Sequence, residues 1–175
     1  LTTTIAIADN GYDDAALEAG RVFIYDRPDF ASLWQLTQVI TSPDFNDDSD
    51  DCFYYFGYSL EIITEVPELQ YDIARLPTLP QFLFIGHPNM SVSGTTGVGV
   101  VYAYWRNGTT GIWDFIQNIE PPTSHIRENL LFGHFIKGCA LHTLFISTYN
   151  STGQASVFLY LYNITSSRWQ YGEEI

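Results

Sequence analysis

Residues Gly99–Ile119, GVVYAYWRNGTTGIWDFIQNI, decide how the chain is read, because their pattern occurs twice more with no gap in its core. Gly99, Tyr104, Trp113 and Ile119 keep the spacing of Gly20, Tyr25, Trp34 and Ile40. A third, weaker copy sets Ala155, Tyr160, Trp169 and Ile175 at the same offsets. Each copy reads as a short apolar strand holding an aromatic residue, then a turn, then a second strand opening near Trp, which describes a hairpin. Self-similarity at intervals of tens of residues marks an array of supersecondary units rather than one irregular core.

Outward from the hairpins, a preceding strand also recurs, as Thr4–Ala8 (TIAIA), Phe82–Gly86 (FLFIG) and Thr143–Ser147 (TLFIS). A further element precedes the second and third copies only, Phe56-Gly57-Tyr58-Ser59-Leu60 and Phe132-Gly133-His134-Phe135-Ile136, each opening on Phe-Gly. The expected unit is therefore a four-stranded antiparallel meander, with the first copy short of one strand. The units span 1–40, 56–119 and 132–175, inside a single region covering 1–175. Between them lie an acidic connection at 41–55 and the linker 120–131; Glu61 to Gln81, rich in proline, is an excursion within the second unit.

An aromatic content of 16%, no sustained helical period, and strands dense in Val, Ile, Phe, Tyr and Thr argue for an all-β protein. Runs such as Val22-Phe23-Ile24-Tyr25 do not alternate with polar residues, so both faces of such a strand need cover. Four-stranded sheets packed face to face around an axis provide it, as the blades of a β-propeller do. A net charge of −13 sets the chain against polyanions, which excludes nucleic acid and anionic membrane as expected partners. The longest apolar region, Leu130 to Ile146, is broken by His134, Lys137 and His142 and falls short of a membrane span. Leu at position 1 fits a processed chain or a fragment.

Four Asn-X-Ser/Thr sequons, at Asn89, Asn107, Asn150 and Asn163, use half of the eight asparagines. Asn89 and Asn150 each follow the matching second-strand isoleucine, Ile85 or Ile146, by four residues; Asn107 and Asn163 follow Tyr104 and Tyr160 by three. Glycans there would sit on turns, where bulk is tolerated. The expectation is N-glycosylation at these four sites and an extracellular location, secreted or at a cell surface. Cys52 and Cys139, read alone, are either paired or two free thiols; an oxidising route favours a disulfide between them.

The series IAIADNGYDD, GRVFIYDR, LWQLTQVI, an acidic loop and YYFGYSLEI resembles FG-GAP-type repeats, the blade units of secreted β-propellers and of the integrin α-chain head. The resemblance covers nearly the whole chain and is most specific in the first unit running into Phe56-Gly57-Tyr58-Ser59. In the third unit Ser147-Thr148-Tyr149 stands in place of a Gly-Ala-Pro-like turn and Ala155 in place of the glycine. It implies a propeller fold and an extracellular recognition, adhesion or scaffolding role, without enzymatic activity. Many such blades hold calcium between their first two strands, but Glu61 to Gln81 has no such loop.

The remaining chemistry is sparse. Asp44, Asn46, Asp48 and Asp50 offer oxygen ligands at alternate positions, as calcium requires, but lack the glycine and closing Glu of an EF-hand loop. Asp9, Asn10, Asp13 and Asp14 form a second oxygen-rich cluster. Cys139 and His142 with His134 make an incomplete zinc pattern, read as ordinary hydrogen-bonded or buried side chains. The expected function is a structural or adhesive glycoprotein, with a glycan-binding or glycan-cleaving propeller as the alternative. Three units make an open wedge with bare edges and faces, so protein partners or copies of the chain itself, joined through those open edges, are expected to complete it unless a longer chain does.

Overall fold

In the first two units the hairpin's first strand begins just after a glycine at positive φ, Gly20 or Gly99, and eleven strands form among the described residues. The structure, a computed structural model, describes residues 2–11, 20–43, 55–64, 81–139, 142–149 and 153–175. Its strands are β1 (Thr3–Asp9), β2 (Arg21–Arg27), β3 (Gln35–Thr41), β4 (Ser59–Thr64), β5 (Gln81–His87), β6 (Val100–Arg106), β7 (Trp113–Ile119), β8 (Phe135–Cys139), β9 (Thr143–Ser147), β10 (Val157–Asn163) and β11 (Arg168–Glu174). They pair antiparallel, each with its sequence neighbour, into a three-stranded sheet β1–β2–β3 and two four-stranded sheets, β4–β5–β6–β7 and β8–β9–β10–β11. The protein is all-β. Among the described residues these sheets do not close into a barrel or ring.

The middle sheet is covered on both sides. Leu83, Ile85, Tyr102 and Tyr104 face the first sheet, while Phe82 and Phe84 face the third, where Trp169 meets their rings edge-on at 5.5 and 5.1 Å. Burying each such side chain contributes roughly 1.5–3 kcal/mol. Between the second and third sheets the first strands lie together, β4 against β8, as do the last, β7 against β11; between the first and second sheets β1 meets β4, as β5 meets β8. One irregularity recurs in all three sheets, a register shift after Ile24, after Ala103 and after Leu159, at the same place in each central hairpin.

One expectation is corrected in detail. The sequence pattern places Phe-Gly in the first strand of the second and third units, yet β4 begins at Ser59 and β8 at Phe135. The reason is backbone conformation: Gly57 and Gly133 sit at φ +90° and +87°, outside extended geometry and open essentially to glycine. They turn the chain into the strand instead of belonging to it. They also stand where the sheets touch, since a β-carbon on Gly57 would come 2.7 Å from the Ala8 β-carbon and one on Gly133 would come 2.9 Å from a Val101 methyl. The phenylalanines before them are fully buried, Phe56 against Tyr102 and Phe132 against Phe158 and Tyr160.

Candidate functional site

Two seams join the sheets, and they use the same devices. Gln38, on β3, donates from Nε2 to the Trp113 carbonyl at 2.9 Å and accepts the Trp113 N–H at Oε1 at 2.8 Å. Gln117, on β7, does the same to Trp169, at 3.1 and 2.8 Å. A carboxamide carries a donor and an acceptor side by side, so one side chain satisfies a backbone carbonyl and N–H together. Each seam also needs a glycine in the left-handed region: a β-carbon at Gly20 would strike the Phe56 carbonyl, and one at Gly99 would strike the Phe132 carbonyl.

The first seam adds a polar cluster at its rim. Arg106 donates to Asp26 at 2.8 Å, to the Thr4 hydroxyl at 2.8 Å and to Gln81 at 3.2 Å, and Asp26 further accepts from the Thr37 hydroxyl at 3.0 Å. Both charged groups are largely buried, so each depends on the other. In the second seam Glu61 accepts from Lys137 at 2.9 Å and from the Gly138 N–H at 3.0 Å. The Glu61 bond and charge raise the Lys137 pKa. Tyr160 donates to the Glu120 carbonyl at 2.6 Å, and burial pushes its phenol well above the usual range, with Tyr171 and Glu120 adding to the shift.

The three repeated tryptophans occupy one register but different surroundings. Trp113 and Trp169 are 2% and 4% exposed and each lies against the preceding sheet, whereas Trp34 is 36% exposed with the Arg27 guanidinium 4.6 Å from its ring centre. The first sheet has no sheet before it among the described residues, and its Trp shows what the other two would look like uncovered.

Three sequons fall in described turns. Asn107 Oδ1 accepts from the N–H groups of Thr109 and Thr110, and Asn163 Oδ1 accepts likewise from Thr165 and Ser166, two matching Asx turns. Asp29 makes the equivalent turn after β2, its carboxyl held below the usual range by bonds from the Ser32 hydroxyl and the Ala31 N–H. Asn89 lies in the turn after β5, where Met90 N–H donates to the His87 carbonyl at 3.2 Å. Because β5 and β6 are antiparallel, Asn89 is at one end of the sheet and Asn107 at the other. Asn150 lies outside the described residues.

Cys139 ends β8, exposed and with no disulfide among the described residues, and Cys52 lies outside the described residues. The acidic run Asp44, Asn46, Asp48 and Asp50 lies outside them too, as do Asp13 and Asp14; Asp9 ends β1 and Asn10 opens the turn beyond it. Among the described residues no group of three or more His, Cys, Asp or Glu side chains is placed to hold a metal. His134 instead joins a ring cluster, accepting from or donating to the Tyr58 hydroxyl at 3.0 Å and stacking on Tyr149 at 5.2 Å. Five residues of strand separate it from Cys139, about 16 Å at the usual rise. No helix among the described residues is long and apolar enough to cross a membrane.

A cleft of about 480 Å³ opens between the second and third sheets, lined in part by Phe82, Trp105, Phe115, Tyr162 and Arg168. Trp105 and Phe115 are nearly half exposed within it. Sequence patterns gave no hint of this cleft, nor of Gln38, Gln117 and the Asp26–Arg106 pair, because each depends on residues of two sheets. No protein-family model matches the chain, and no curated protein matches it.

Proposed function

We propose that the chain is a non-enzymatic extracellular glycoprotein of structural or adhesive role, built from FG-GAP-like propeller blades. The observation that carries this reading is the repeated seam: two consecutive sheet pairs meet through the same Gln-to-Trp backbone clamp, the same glycine at the Phe carbonyl, and the same contact of the strand before the hairpin with the first strand of the next sheet, β1 on β4 and β5 on β8. Blades stacked around an axis need that kind of identical face-to-face joint. Sequons in turns at opposite ends of the second sheet support passage through a glycosylating compartment. Secretion from a glycosylating host, followed by intact mass and peptide mapping before and after N-glycan removal, tests it. Glycan is expected on Asn89, Asn107, Asn150 and Asn163; a secreted chain with all four unmodified removes the glycoprotein reading.

The cleft favours a second reading, glycan binding. Exposed aromatic rings beside hydroxyls and an arginine suit a ligand with one apolar and one polar face. Its described lining contains no carboxylate, so recognition fits this cleft better than cleavage. Binding to an array of glycans that Trp105→Ala abolishes would support this reading, and an array with no binding would retire it.

A further inference from the structure

The outer face of the first sheet is built like a face that is covered elsewhere in the same molecule. Ile5 and Ile7 stand where Leu83 and Ile85 do, Phe23 and Tyr25 where Tyr102 and Tyr104 do, and in each sheet these residues are cross-strand partners. Ile85 is fully buried against the first sheet, whereas Ile7 is 52% exposed. Arg27 corresponds to Arg106. Where Arg106 finds Asp26, Arg27 lies over Trp34 and Phe30, has no ion pair among the described residues, and keeps its Nε buried without a hydrogen-bond partner. The face has the residue pattern of the covered one, and among the described residues no anion is paired with Arg27.

The third sheet turns outward the surface that would match it. Leu159 pairs with Glu173 across β10 and β11 as Ile24 pairs with Gln38 across β2 and β3, so Glu173 holds the clamp position. A carboxylate there can accept a Trp N–H but cannot donate to the carbonyl, and it adds the negative charge that Arg27 lacks. Leu161 meanwhile replaces the acid at the position of Asp26, so the anion has moved from the middle strand to the last. Ala155 stands where Gly20 and Gly99 admit a Phe-Gly carbonyl, and the three-stranded first sheet, as described, brings no such turn to that point. Phe135 and Leu161 leave this outer surface apolar and exposed.

We propose that a second copy of the chain covers these faces: the outer face of the third sheet of one copy packs on the outer face of the first sheet of the other, with Glu173 against Arg27 and the Trp34 N–H. This rests on the blade reading given above. Two copies, at three sheets each, bring six sheets, within the range that closes a ring, and the same contact then forms twice. Both faces are buried and neither charge is left unpaired.

Sedimentation equilibrium of the secreted chain tests this, with a reversible dimer of twice the 19.9 kDa polypeptide mass plus glycan expected. Arg27→Glu and Glu173→Arg, each on an exposed face that the monomer fold does not need, are expected to weaken association by about tenfold or more. The double variant R27E/E173R, with the charges exchanged, is expected to recover it, while circular dichroism stays unchanged throughout. A wild-type chain that stays monomeric at every concentration overturns the proposal, as does a dimer indifferent to both single variants. Failure of the double variant to recover overturns the Arg27–Glu173 pairing. The glycan mass measurement is independent of association, so a monomer with glycosylated sequons would defeat this inference alone.

Discussion

The first and second sheets contain the same kinds of residue at the same positions and bury them very differently. Leu83 on β5 is fully buried between sheets, and Ile5, at the matching position on β1, is 39% exposed. Trp113 is enclosed and Trp34 is open. The contrast teaches that burial in this molecule is a property of a sheet's place in the stack, and that residue type shows only what a face is suited to meet. The second sheet is a core because both neighbours are present.

The comparison can be broken most forcefully at the packed positions. Leu83→Ala is expected to cost about 2–5 kcal/mol, the range for emptying a core position, whereas Ile5→Ala should stay within about 1 kcal/mol in the monomer. Urea unfolding of the two variants measures the difference, and equal costs would mean that the two sheets are covered alike. Next comes the polar rim. Asp26→Ala strands the Arg106 guanidinium in a largely buried position and is expected to cost about 3 kcal/mol, while Arg27→Ala should change monomer stability very little. Chemical denaturation decides this as well, and a large loss on removing Arg27 would show that it already has a partner.

A smaller effect is expected at the clamps. Gln117→Ala removes two hydrogen bonds to Trp169 and should cost about 1–2 kcal/mol, with Gln38→Ala similar because the seams are alike. A thermal-melting comparison in which only one of them destabilises would break the equivalence of the seams. The smallest effect concerns Glu174. Its pKa is lowered, first by the Ser156 hydrogen bond and then by His125, whose ring nitrogen lies 2.9 Å away. A depressed folded-state pKa adds stability above the unfolded value and loses it as pH falls through the folded one. Melting temperature should therefore drop slightly less on acidification in Glu174→Gln than in the unmodified chain, and identical pH profiles would show that these bonds carry no linkage.

The all-β class and the antiparallel hairpins were legible because apolar runs, turn residues and the common offset of Tyr and Trp are local signals. Gln38 and Gln117 were not, since a glutamine in a strand looks like any solvent-facing polar residue until the neighbouring sheet puts a backbone amide opposite it. Asp26 and Arg106 are eighty residues apart, and nothing in either neighbourhood points to the other. Phe-Gly is visible as a repeated marker, but its place outside the strand is not, because that depends on a positive φ and on the sheet it approaches. Exposure of Trp34 was equally invisible, as its sequence context matches that of two buried tryptophans.

Amide hydrogen exchange at the three tryptophans tests most directly whether consecutive sheets are joined by one repeated device. At concentrations where the chain is monomeric, the backbone amides of Trp113 and Trp169 should exchange slowly, each held by its glutamine, and Trp34, with no such partner among the described residues, should exchange fast. Gln38→Ala should speed Trp113 alone and Gln117→Ala should speed Trp169 alone. Equal rates at all three positions, unchanged in both variants, would contradict the account.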